Sequence, residues 1–111
     1  MLILAVGVFT LVAVMGLGMV FDVFAGRGTS RLYALTHAGL AAFGSVLVIL
    51  AALSGDNRVL INIGLVVVIG ILGFTVSLRR AKGQCPKSVL VAHAGLAVIC
   101  YSILAYNAFT G

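Results

Sequence analysis

The segment LYALTHAGLAAFGSVLVILAAL, Leu32 to Leu53, runs for 22 residues without a charged side chain. A helix of about 20 apolar residues crosses the hydrocarbon core of a bilayer, so this segment predicts a transmembrane helix. Three further apolar runs of similar length occur at Leu2 to Phe21, Val59 to Leu78 and Val89 to Ala108. We therefore expect an all-α membrane protein, a bundle of four transmembrane helices.

The composition supports this class of protein. Of the 111 residues, 63% are hydrophobic and only 8% are charged, with a mean hydropathy of +1.31, which lies far outside the range of soluble domains. Helices are favoured over a β-barrel because the runs are continuously apolar and do not alternate. The first run has no basic start and exceeds the ~7 to 15 apolar residues of a signal peptide, so we expect it to be retained. Residues 1–111 are expected to form one transmembrane domain, with any chemistry inside the bilayer or at its edge.

The basic residues are concentrated in two of the three loops. Loops 22–31 and 79–88 contain six of the seven, namely Arg27, Arg31, Arg79, Arg80, Lys82 and Lys87. Cytoplasmic loops are enriched in Lys and Arg, so we expect these two loops to be cytoplasmic and both termini to lie outside, in a bacterial inner membrane. This topology accounts for the net charge of +5. The lipid bilayer is therefore an expected partner, and nucleic acid is not.

A pentapeptide, HAGLA, occurs at His37 to Ala41 and again at His93 to Ala97, and the two copies contain the only histidines in the chain. The offset of 56 residues also places Arg31 on Lys87. This pattern predicts a duplicated helical hairpin, with repeat 1 at 1–55 and repeat 2 at 57–111. Both copies would enter the membrane in the same direction and be related by a pseudo-two-fold axis along the membrane normal. Helices one and three match weakly, through glycine-rich stretches only.

Parallel repeats would place both imidazoles at one depth. If the second and fourth helices form an inner pair, His37 and His93 could converge and ligate a b-type haem from opposite faces. We accordingly expect a small b-type cytochrome that transfers electrons in the membrane. Ligation by two histidines leaves no open coordination position, so an electron carrier is favoured over an enzyme.

The surroundings of the two histidines fit this hypothesis. Small residues, among them Gly39, Gly44 and Gly95, would leave room for a flat macrocycle. Arg31 and Lys87 precede the histidines by six residues, roughly 9 Å along a helix, and could reach the propionates of a haem. The expected cofactor-binding residues are therefore the two ligands His37 and His93 together with Arg31, Lys87, Gly39, Gly95 and Gly44.

Three alternatives remain open. The first is a metal site without a porphyrin, formed by the side chains at the cytoplasmic end: Asp22, His37, Cys85 and His93. The second is a small transporter with a path for protons or ions, although no acidic residue lies deep in a span. The third is a non-catalytic accessory subunit, in a homo-oligomer or a larger membrane complex, whose small residues serve helix packing alone. Asp22 is expected to pair with Arg27 or Arg31.

The charge distribution leads to a prediction about orientation. Cysteines introduced near Gly55 and Gly111 should react with a membrane-impermeant reagent applied from the periplasm, because both positions lie at the end of the bundle away from the basic loops. Labelling that required permeabilised cells would contradict the orientation.

Overall fold

Four α-helices account for most of the chain in the computed structural model, which describes all residues 1–111. They are α1 (Leu2–Phe24), α2 (Arg31–Leu53), α3 (Leu60–Ala81) and α4 (Lys87–Thr110), and a short 3-10 turn (Asn57–Val59) precedes α3. All four are long and apolar enough to cross a membrane. The molecule is 44 Å long, which matches the ~40–45 Å of a bilayer with its headgroups. The predicted all-α transmembrane architecture is confirmed, and the helices exceed the predicted runs by at most three residues at either end.

The first three helices end in the same way. A glycine with positive φ follows each of them, at Gly26, Gly55 and Gly83, and the next residue donates its backbone N–H to a carbonyl five residues earlier. This is the Schellman motif, in which a glycine tolerates the left-handed conformation that reverses the chain. At the start of α2 the Ser30 hydroxyl accepts a hydrogen bond from Tyr33 N at 3.0 Å, which confirms the predicted N-cap. Short loops therefore suffice to join the helices.

The helices are arranged as a square with unequal sides. α1 packs along both α2 and α4, and α3 packs along α4, whereas α2 and α3 touch over a shorter stretch. α2 and α4 make no direct backbone contact, so they occupy diagonal corners. The expectation that these two helices form an adjacent inner pair is wrong.

Side-chain hydrogen bonds link the helices that pack closely. The Tyr33 hydroxyl donates to Met15 O of α1 at 2.9 Å. Asn62 Nδ2 of α3 donates to Cys100 O of α4 at 2.8 Å, and Asn62 is fully buried. No side-chain hydrogen bond joins α2 to α3. The α2–α3 side is therefore held by apolar contact alone.

The buried apolar residues form two separate clusters. The larger one lies at the end that carries the chain termini and contains Ala5, Val6, Leu47, Val48, Ala51, Val59 and Leu104. The smaller one contains Val23, Val76 and Leu90 and lies near the two basic loops. The apolar core is consequently interrupted between these two levels.

Gly44 provides a test of the α1–α2 interface. A Cβ atom at this buried position would lie 2.9 Å from the Phe9 ring of α1, so Gly44→Val should separate the helices and cost about 1–3 kcal/mol of stability. A titration with SDS, followed by circular dichroism, measures the effect. Gly39→Val is the matched control, because no atom lies within 4 Å of its Cβ position. Equal stability of the two variants would contradict this packing.

Candidate histidine site

His93 lies in the interface between α4 and α3. Its Nδ1 is 2.8 Å from the backbone oxygen of Ile69, and since a carbonyl can only accept, Nδ1 must carry the proton. The ring also lies against Gly73, where a Cβ atom would be 2.9 Å from His93 Cε1. In the neutral ring Nε2 then carries a lone pair. A histidine whose second nitrogen donates to a carbonyl is the arrangement usual for metal-ligating histidines.

His37 makes the corresponding contacts between α2 and α1. A Cβ atom at Gly16 would lie 3.1 Å from His37 Cε1. The backbone of Val12 approaches the ring, yet the buried Nδ1 has no hydrogen-bond partner of ordinary geometry. Each imidazole thus packs on a glycine of the preceding helix, next to the backbone of the residue four positions before that glycine.

The two histidines occupy comparable positions in the bundle. Each is the seventh residue of its helix, about 9 Å from the helix start. They lie on the diagonal helices α2 and α4, near enough for their charges to interact. His93 is one turn beyond Leu90 of the smaller apolar cluster, so its ring lies where the apolar core is interrupted.

The structure distributes the other predicted site residues more widely. Gly39 and Gly95 are exposed, and nothing lies within 4 Å of either Cβ position. Gly44 lies under the Phe9 ring and touches neither histidine. Arg31 is exposed at the start of α2. Of the predicted small residues, none contacts an imidazole.

Lys87 is held at the side of the bundle. Its Nζ lies 5.3 Å from the centroid of the Phe24 ring, a cation–π contact at the start of α4. The side chain therefore points along the α1–α4 edge.

The glycines that contact the histidines, Gly16 and Gly73, were not among the predicted site residues. A signal for them exists in the sequence. An offset of 57 residues places Gly7 on Gly64 and Gly16 on Gly73, whereas the histidines are 56 apart, and a comparison at one fixed offset hides this match.

The alternative metal site is not assembled. No group of three His, Cys, Asp or Glu side chains lies close enough to hold a metal ion. Asp22 pairs with Arg27 at 3.3 Å, as predicted, and accepts a hydrogen bond from Thr29. Cys85 is exposed. Two imidazoles are too few ligands for a structural zinc ion, but they suffice for a haem, whose porphyrin supplies the remaining four donors.

Comparisons with known proteins give no family assignment. No protein-family model, no curated protein and no solved structure matches the chain. The function is therefore argued from the residues that the fold brings together.

The contact between His93 and Ile69 predicts one tautomer. In protein with ¹⁵N-labelled histidine, studied in detergent at a pH where the rings are neutral, the His93 spectrum should show a protonated Nδ1 and an unprotonated Nε2. Gly73→Leu should push the ring away from Ile69 and remove this signature, whereas Gly64→Leu, with open space around it, should preserve it. A wild-type spectrum with the proton on Nε2 would refute the hydrogen bond.

Proposed function

We propose that this chain is a membrane-integral b-type cytochrome that binds one haem through His37 and His93 and transfers electrons within the bilayer. One observation carries the proposal: both histidines of the chain lie in interhelical contacts against a glycine, and the hydrogen bond to Ile69 leaves Nε2 of His93 free to ligate. Intramembrane ionisable residues are rare and mark functional sites more often than not.

A bound haem would supply a centre for one-electron transfer, with both axial positions taken by protein. The hydrogen bond from Nδ1 to Ile69 O would orient the His93 ring and increase the basicity of Nε2. Arg31, one and a half turns before His37, would balance the negative charge of a propionate. Because Lys87 is engaged by Phe24, the proposed propionate contact rests on Arg31.

The packing of the bundle is compatible with a group between the two histidines. Because α2 and α4 are diagonal and do not touch, a ligand shared by His37 and His93 would replace no contact between these two helices. The loosest side of the bundle, between α2 and α3, has no side-chain hydrogen bond to break. Entry of a macrocycle from that side therefore requires the smallest loss of interhelical contacts.

We further propose that the site arose by duplication of a helical hairpin. The glycine and the backbone beside each histidine are spaced alike, Val12 with Gly16 and Ile69 with Gly73. The offset changes from 57 in the first helices to 56 in the second ones, and the intervening loops, 25–30 and 82–86, differ in length by one residue.

Burial supports the same alignment. The pairs that it relates, Ala5 with Asn62, Val48 with Leu104, Gly44 with Cys100 and Ala51 with Asn107, are buried in both copies. The two-fold relation is approximate, since α1–α4 contacts exceed those between α2 and α3. A duplication of this kind explains how two equivalent ligands come from one ancestral histidine.

The proposed setting is a bacterial inner membrane, with loops 22–31 and 79–88 in the cytoplasm and both termini outside. The segregation of the basic residues supports this orientation. An electron carrier of this size also needs a donor and an acceptor, so we propose that it works beside membrane redox partners or as part of a larger complex.

The proposed function is tested by the visible spectrum of protein purified in detergent from cells supplied with a haem precursor. Addition of dithionite should produce the sharp α and Soret bands of a six-coordinate b-type haem. Both His37→Ala and His93→Ala should abolish or strongly weaken these bands, because each removes an axial ligand.

Second variants separate ligation from folding. Gly73→Leu should shift or broaden the bands by displacing His93, whereas Gly64→Leu should leave them unchanged, and circular dichroism should show all variants to be helical. A colourless wild-type protein from haem-replete cells would refute the proposal and leave the chain as an accessory membrane subunit. Equal spectra for wild type and His37→Ala would refute ligation by His37.

A further inference from the structure

An apolar groove of about 250 Å³ follows the outer surface between α1 and α4. Val20 and Phe24 of α1 form one wall, and a stripe of α4 from Leu90 to Val98 forms the other. Gly95 belongs to this stripe, and nothing lies within 4 Å of the position where its Cβ would be. The groove contains neither histidine, so it is independent of the proposed haem site.

The length of the groove matches one leaflet of a bilayer. The stripe on α4 continues from Lys87 through Leu90 and Val91 to Val98, at the spacing of one helix face. Eleven residues separate Lys87 from Val98, which corresponds to about 16 Å along a helix. One leaflet contributes half of the ~30 Å hydrocarbon core. The groove therefore has the length of a lipid acyl chain within a single leaflet.

A positive charge lies at the end of the groove nearest the basic loops. Lys87 stands over Phe24, which is itself a wall residue. Lys87 has no acidic partner, because the two ion pairs of the chain are Arg27–Asp22 and Arg58–Asp56. Its ammonium group would therefore lie at headgroup level, above an apolar channel and without a counter-ion from the protein.

We infer that this groove is a binding site for an anionic phospholipid, with one acyl chain between α1 and α4 and the phosphate on Lys87. Charge complementarity selects the occupant. An apolar groove alone would accept any lipid chain, but an unpaired ammonium at its headgroup end favours a lipid with net negative charge. Anionic lipids are abundant in the cytoplasmic leaflet, the side on which the basic loops are proposed to lie.

Native mass spectrometry of the full chain, purified in detergent and incubated with phosphatidylglycerol or phosphatidylcholine, tests the site. We expect wild type to retain one phosphatidylglycerol in preference to phosphatidylcholine. Lys87→Gln should reduce this preference by about fivefold, the value of roughly 1 kcal/mol for one lysine near an anionic surface. Arg31→Gln is the matched control, since Arg31 occupies the corresponding position on α2 and does not line the groove; it should preserve the preference.

Gly95→Leu should fill the groove and remove retention of both lipids, whereas Gly39→Leu, the same residue of the other pentapeptide, should have no effect. Equal loss in Gly95→Leu and Gly39→Leu, or in Lys87→Gln and Arg31→Gln, would overturn the site, as general surface binding predicts. Competition by soluble glycerol phosphate would show a phosphate site without a lipid groove and would also overturn it. Displacement by a neutral isoprenoid quinone, with no effect of Lys87→Gln, would replace the anionic lipid by a different occupant.

Discussion

The structure depends on how helices associate where water is absent. In a bilayer, apolar side chains gain little by leaving lipid for protein, so helices associate through close packing and interhelical hydrogen bonds. Here backbone carbonyls accept such bonds, from Tyr33 to Met15, from His93 to Ile69 and from Asn62 to Cys100. The side of the bundle without one, between α2 and α3, is also the side with the least contact. Hydrogen bonds to carbonyls thus determine which helices are neighbours.

His93 combines two roles within that scheme. Its bond to Ile69 contributes to the α3–α4 interface, and the same bond fixes which ring nitrogen remains free. The imidazole reaches the carbonyl only because the adjacent Gly73 has no side chain, since a Cβ there would come within 2.9 Å of the ring. The packing of the hairpin and the proposed ligation are consequently one arrangement of atoms. Under the proposed function, the haem would bind to a ring that the protein already orients.

The sequence predicted the fold well and the site in part. Four spans followed from uninterrupted apolar runs such as Leu32 to Leu53, because the length of a membrane helix is set by the bilayer and not by its neighbours. The cap at Ser30 and the pair of Asp22 with Arg27 also followed, since both depend on residues near in sequence. The neighbours of the histidines did not follow. Gly39 and Gly95, beside the histidines in sequence, point outward, while Gly16 and Gly73 become neighbours only through helix packing.

The position of Gly73 relative to its loop limits where this chain can change in length. Successive residues of a helix point about 100° apart, so one residue added between Gly73 and Ala81 would turn the glycine away from His93 and present a side chain in its place. A residue added between Lys82 and Pro86 would lie outside both helices and leave that contact intact. Insertions and deletions compatible with a functional protein should accordingly be confined to the loops, and variation in loop length among descendants of this sequence would leave the environment of the imidazole unchanged.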